Sequence, residues 1–205
     1  MKILILSDVH SSFENLKEIL SSASYDLIFL AGDLTNFIKE DVFKIDEIIS
    51  KFGEAYAVHG NCDYEEILGY DLDSINFVHA KSLNFEDFTL HGVGGSNLTL
   101  FSTPSEYSEE QMEEFFKKFV FSERNFLLSH CPPKGILDLT KNGIHVGCNV
   151  VKKYVENFEV IFCGHVHEAF GIEKNRFLAI NPGPVFKRRY ATFDTEVFEA
   201  KLEKL

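Results

Sequence analysis

Five short motifs carry the residues that could do chemistry: residues 7–10 (SDVH), Gly32-Asp33, Gly60-Asn61, Ser129-His130 and residues 164–167 (GHVH). Together they supply two aspartates, one asparagine and four histidines, namely Asp8, Asp33, Asn61, His10, His130, His165 and His167. Asp8 and His10 are two apart, so on an extended segment leaving a strand both side chains point one way and can grip one cation. Asp33 is the candidate shared residue, because one carboxylate can hold two ions about 3.5–4 Å apart, the separation that serves a phosphoryl centre. Asn61 offers a neutral oxygen, and His130, His165 and His167 offer imidazoles. Such a mixed oxygen and nitrogen set suits Mn, Fe, Co, Ni or Zn better than Ca or Mg. Taken singly, Gly-Asp and Gly-Asn are turn chemistry, and a lone histidine beside a strand is a satisfied polar residue. Five such elements in one chain, each at the end of an apolar run, are the ligand inventory of a two-metal hydrolase.

Those residues need elements to bring them together. Residues 3–6 form a short apolar run, and residues 13–23 then show helical spacing through Phe13, Leu16, Ile19 and Leu20. The same alternation recurs in residues 27–31, 42–49 and 55–58, so the first third reads as a βαβαβ layer. Asp8, Asp33 and Asn61 then follow three consecutive strands, at the carboxyl edge where open α/β sheets bind ligands. Residues 76–79, 81–85 and 88–92 look like a meander. Residues 94–107 are rich in Gly, Ser, Thr and Pro, a loop long enough to expect a function for it. Ser108 with Gln111 predicts a capping box for an acidic helix through about Phe119. Further strands are expected at 125–128, 160–163, 177–180 and 190–195, with a helix at 148–157. There is no repeat or low-complexity segment.

Composition sets outer limits. A chain of 205 residues suits a single domain over 1–205, and 45% hydrophobic with 25% charged residues is ordinary for a globular protein. The 21 Phe read as core filler. A formal charge of -12 repels a long polyanion and argues against duplex nucleic acid as a partner, although bound divalent cations would invert the potential locally for a small phosphate ester. Cys62, Cys131, Cys148 and Cys163 form no C-x-x-C pair and read as reduced thiols. The opening MKILILSDVH is too short for a signal peptide or a membrane span, which by elimination points to the cytoplasm and to no membrane partner.

The motif set resembles the calcineurin-like metallophosphoesterase superfamily, whose signature runs D-x-H, GD-x-x, GN-H-D/E, H and GH-x-H. The likeness extends from Asp8 to Gly183. It implies an α/β four-layer sandwich of two stacked mixed sheets flanked by helices, with a dimetal site at the strand C-terminal edge. It also implies two divalent transition-metal ions, manganese first among them: Asp8, His10, Asp33 and His167 hold one, and Asp33, Asn61, His130 and His165 the other. Asp33, Asn61, Cys62 and His130 are the candidate catalytic residues. Cys62 departs from the family pattern, standing where most phosphomonoesterases and protein phosphatases of the superfamily carry a leaving-group His. A general acid contributes roughly 10²–10⁴-fold, and a thiol with a pKa near ~8.5 replaces it poorly. The loss hurts most where a poor alkoxide leaves a dianionic monoester.

Residues 94–97, Thr103-Pro104, residues 130–133, 145–147 and 181–183 resemble a subgroup of small prokaryotic, largely archaeal, phosphodiesterase-like proteins. The loop 95–107 and the turn 144–148 are expected to flank the metals, with Asn97, His145 and Arg188 as candidate substrate contacts. Arg188 lies in the one dense basic cluster, Lys187, Arg188 and Arg189. The expected activity is hydrolysis of a small phosphodiester by a hydroxide held between two cations. The alternatives are a phosphomonoesterase or protein phosphatase, a nuclease, and a non-catalytic scaffold. The helix after Ser108, with Phe115, Phe116 and Phe119, is the candidate contact for a homodimer.

Overall fold

The protein is described by a computed structural model covering residues 1–205. Its first part alternates β1 (Lys2–Leu6), α1 (Phe13–Ser22), β2 (Leu27–Ala31), α2 (Asp41–Ile49) and β3 (Ala55–Val58), followed by β4 (Ile75–Phe77). Then come β5 (Ser82–Asn84), β6 (Thr89–Val93), the short pair β7 (Ser96–Asn97) and β8 (Glu106–Tyr107), and α3 (Glu109–Phe116). The remainder is β9 (Asn125–Ser129), α4 (Asn149–Tyr154), β10 (Val160–Phe162), β11 (Gly171–Lys174), β12 (Leu178–Asn181), β13 (Arg189–Asp194) and β14 (Glu199–Lys204).

Two six-stranded mixed sheets result, ordered β14-β13-β1-β2-β3-β4 and β11-β12-β10-β9-β6-β5. Alternate residues of β1 explain the layering. Ile3 and Ile5 face the other sheet beside Phe29, Phe126 and Phe162, whereas Leu4 and Leu6 face Leu16, Ile19 and Ile45 of the helices. A strand buried on both faces must be apolar throughout, which is why β1 and β2 read as unbroken hydrophobic runs. On the far side, Leu127 and Ile161 pack against Met112, Phe116 and Val151 of α3 and α4, completing four layers. Between the sheets the Phe rings meet edge to face, with Phe29 and Phe162 centroids 5.4 Å apart at 72°. Register then aligns the strand ends. Parallel pairing sets Leu6 beside Leu30 and Ala31 beside Val58, so three successive loops emerge together. In the second sheet, Phe162 pairs with Leu128 and delivers two more loops to the same edge.

Several expectations are corrected. The meander does not form: β4 pairs in parallel with β3 in the first sheet, while β5 and β6 make an antiparallel hairpin in the second. The capping box at Ser108 and Gln111 is present, but α3 ends at Phe116, and α4 gives way to a 3-10 turn at Val155–Asn157. Phe116 and, past the helix end, Phe119 are buried in the core, and Phe115 is partly buried against it. No helix is long and apolar enough to cross a membrane, and the four cysteines are free and buried.

Candidate metal centre

The loops that leave β1, β2, β9 and β10 meet at one edge of the sandwich. Asp8, His10, Asp33 and His165 all adopt left-handed backbone, with φ of 54°, 45°, 50° and 66°. The extended D-x-H segment expected from sequence is therefore replaced by a tight turn, which brings the two side chains together by curling the chain. Left-handed conformations in non-glycine residues cost on the order of 1–3 kcal/mol each and persist where the surroundings over-determine them. Here a backbone ladder does so: the N–H groups of Asp8, His10 and Ser11 donate to the carbonyls of Gly32, Asp33 and Leu34 at 2.9–3.0 Å. Two motif glycines make room for ligands. A Cβ on Gly60 would lie 2.0 Å from Asp33 Oδ1, and one on Gly164 would lie 1.6 Å from Ser7 Oγ and 2.9 Å from Asp8 Oδ2.

The seven candidate ligands form one connected cluster. Asp33 divides its carboxylate, with Oδ2 3.5 Å from His10 Nε2 and Oδ1 3.5 Å from His130 Nε2. Asp8 Oδ1 lies 3.3 Å from His167 Nε2. Asn61 Oδ1 lies 3.0 Å from His130 Nε2 and 2.7 Å from His165 Nδ1. Donor atoms of Asp8, His10 and His167 lie within 4.8 Å of one another, as do those of Asp8, Asp33 and His130. His130 Nδ1 donates to the Ala31 carbonyl at 2.7 Å, which leaves Nε2 free to ligate a cation. His10 Nε2 is buried without a hydrogen-bond partner. A cation between His10 and Asp33 satisfies that orphan, and the donor set as a whole fits a pair of divalent ions.

Electrostatics agree with that fit. Burial alone would raise Asp8 and Asp33, but His167 and His130 beside Asp8, and His130 and His10 beside Asp33, hold both carboxyls below their usual range. Burial opposes a charge on His130, yet Asp33 and Asp8 push its pKa to about 9. Burial and the neighbouring His130 take His165 down to about 4. Two buried, ionised carboxylates thus create a site that draws positive charge.

Beside the cluster lies a cavity of about 770 Å³. Asn61, His165 and His167 line one side, and Asn97 to Phe101, Thr140, Val146, Val166 and Glu168 line the rest. That volume is in the range of small-molecule sites, roughly 300–1,000 Å³. Cys62 is buried, its N–H donates to Asp33 Oδ1 at 2.8 Å, and burial with Asp33 pushes its thiol pKa upward. Asn97 reaches the cavity, and its Oδ1 accepts from Cys131 Sγ at 3.1 Å. His145 is turned to Asp138 at 2.6 Å, and its neighbour Val146 lines the cavity in its place. Arg188 is not brought to the cavity: it pairs with Glu18 at 3.1 Å on α1. The basic cluster is dispersed, since Arg189 stacks on Phe170 at 3.3 Å and Lys187 lies over Phe186.

Two residues were overlooked in the sequence. Asp63 accepts from the N–H groups of Leu34, Thr35 and Gly60 and from the Thr35 hydroxyl, lashing the loop after β2 to the loop after β3. Its signal was its place in the same turn as Asn61. Glu106 anchors the loop 97–107 and had no signal of its own.

A calcineurin-like phosphoesterase family model matches residues 1–169. An uncharacterized protein of Methanocaldococcus jannaschii is 35% identical over 210 residues, covering 96% of this chain and 93% of the relative. Among solved structures, a Thermus thermophilus protein superposes with a TM-score of 0.75 at 16% identity, covering 99% of this chain and 98% of that one. An archaeal phosphodiesterase superposes with a TM-score of 0.59 at 19% identity over 100% of both chains. The metal-fitting cluster, the sandwich and the sequence match agree, and the chain belongs to the calcineurin-like phosphoesterase family.

Proposed function

We propose that this phosphoesterase is a two-metal phosphodiesterase that hydrolyses a small phosphodiester, with residues 1–205 working as one domain. Asp8, His10, Asp33 and His167 would hold one ion, and Asp33, Asn61, His130 and His165 would hold the other. When bound, such a pair supplies Lewis acidity toward the phosphoryl oxygens and a water acidic enough to attack near neutral pH. Asp33 would serve both ions, and the hydrogen bond from His130 Nδ1 to Ala31 holds that imidazole in the tautomer that leaves Nε2 free to ligate.

The observation that carries the diester over the monoester is Cys62. By the family resemblance it stands where most monoesterases carry a leaving-group His, and a buried thiol beside Asp33 is a weak proton donor. A diester carries less charge than a monoester, and its aryl or cyclic leaving groups need less protonation. The cavity supports the same reading. Leu98, Leu100 and Phe101 line it although 64%, 101% and 84% exposed, and give the organic arm of an ester an apolar surface. The shared fold with an archaeal phosphodiesterase is consistent with this assignment.

The test is hydrolysis of bis-p-nitrophenyl phosphate beside p-nitrophenyl phosphate, with Mn²⁺ added or chelated and with Asp33→Asn as control. Metal-dependent preference for the diester is expected. Turnover of the monoester alone would overturn the diester reading, and turnover of neither by metal-loaded protein would favour the scaffold.

A further inference from the structure

Glu106 sits on β8 and touches none of the candidate ligands, yet its carboxylate accepts four hydrogen bonds from only two residues. Thr99 donates through N at 2.7 Å and through Oγ1 at 2.6 Å, and Thr103 through N at 2.9 Å and through Oγ1 at 2.6 Å. Burial raises the Glu106 pKa, but these four bonds outweigh it and bring the pKa to about 2. The group is therefore ionised and can only accept.

That fixes the Thr103 hydroxyl. A hydroxyl has one proton, and this one goes to Glu106, so Thr103 Oγ1 can offer only a lone pair to its other neighbour, Asn61 Nδ2, at 3.0 Å. Asn61 must answer with its NH₂, whose second proton faces Cys62 Sγ at 3.6 Å. Its Oδ1 is thereby turned the other way, toward His130 Nε2 and His165 Nδ1. Flipping the amide would set two acceptors against each other at Thr103 and aim an NH₂, which cannot ligate, at the cation. The two faces of an asparagine amide are nearly equal in shape, so a hydrogen-bond network of this kind must choose between them.

We propose that Glu106 and Thr103 are positioning residues that fix the orientation of the Asn61 amide and so set the affinity of the metal that Asn61 shares with His130 and His165. The inference rests on reading Asn61 as a metal ligand. It also gives the loop 97–107 a second task, because the bonds that orient Asn61 also tie down the segment carrying Leu98 to Phe101.

Calorimetric titration of the full chain with Mn²⁺ tests it. Wild type takes two ions. Thr103→Val, which removes the lone pair, weakens one of the two sites by about 10–100-fold, the usual cost of losing a group that orients a ligand. Thr103→Ser restores wild-type affinity. Glu106→Gln, which can return a donor to Thr103 and free the hydroxyl proton, weakens the same site without touching Thr103. A carboxylate has no wrong face, so in an Asn61→Asp background Thr103→Val causes no further loss. An equal loss in both backgrounds, or an unchanged Thr103→Val, would overturn the inference while two ions in wild type left the metal reading standing. Fewer than two Mn²⁺ in wild type would overturn both.

Discussion

The ligand cluster and the cavity wall beside it are built by opposite means. Asp8, Asp33 and His130 are fully or almost fully buried, and the turns that carry them are tied by backbone bonds and by Asp63. Leu98, Leu100 and Phe101 stand in solvent, on a loop held by side-chain and backbone bonds through Glu106, Ser105, Thr103 and Asn97. Apart from the Asn61 amide, which leans on Thr103 of that loop, the cluster owes its geometry to the fold, and the wall can change without disturbing the sheets. On the proposed reading, chemistry would reside in the first region and choice of substrate in the second.

The sharpest attempt to break this division is Asp33→Asn. With one oxygen replaced by a nitrogen that cannot ligate, metal occupancy and turnover should fall together, by more than about 10²-fold, beyond the usual effect of losing an outer hydrogen-bond partner. Metal analysis alongside steady-state kinetics checks it, and activity retained in metal-depleted protein would contradict it. Next in size is Cys62→His. An imidazole there would supply the missing acid, so turnover of an alkyl monoester such as glycerol 2-phosphate should rise relative to bis-p-nitrophenyl phosphate by up to ~10²-fold, the low end of general-acid contributions. An unchanged ratio would make Cys62 a packing residue.

The wall predicts smaller and different effects. Phe101→Ser should raise KM for an aryl diester about tenfold, equivalent to roughly 1.4 kcal/mol, and leave kcat in place. A fall in kcat at constant KM would move Phe101 into the chemistry. Leu100→Ser removes a side chain exposed to solvent, so denaturant unfolding should shift by no more than about 0.5 kcal/mol. A larger loss would show that the loop is part of the folding core.

The two regions also differ in how far they could be read from sequence. β1 and β2 were legible because strands covered on both faces must be apolar at every position, and the candidate ligands were legible because they follow such runs. Two of the four edge strands were not. β11 and β14 carry Glu and Lys along half-exposed or open faces, and nothing in EAKLEK distinguishes a strand from a solvated tail. The left-handed turn at Asp8 and His10 was equally hidden, since neither residue is a glycine and only the ladder to residues 32–34 imposes it. Arg188 looked available in a basic cluster because its partner Glu18 is 170 residues away. Glu106 was invisible for the same reason: its meaning depends on a contact between Thr103 and Asn61, which are 42 residues apart.

The central claim is that Asp33 joins two ions in one site. Electron paramagnetic resonance of the protein loaded with two equivalents of Mn²⁺ tests it most directly. A spin-coupled pair in wild type, lost in Asp33→Asn, is the predicted result, whereas the hyperfine pattern of isolated ions in wild type would contradict the account.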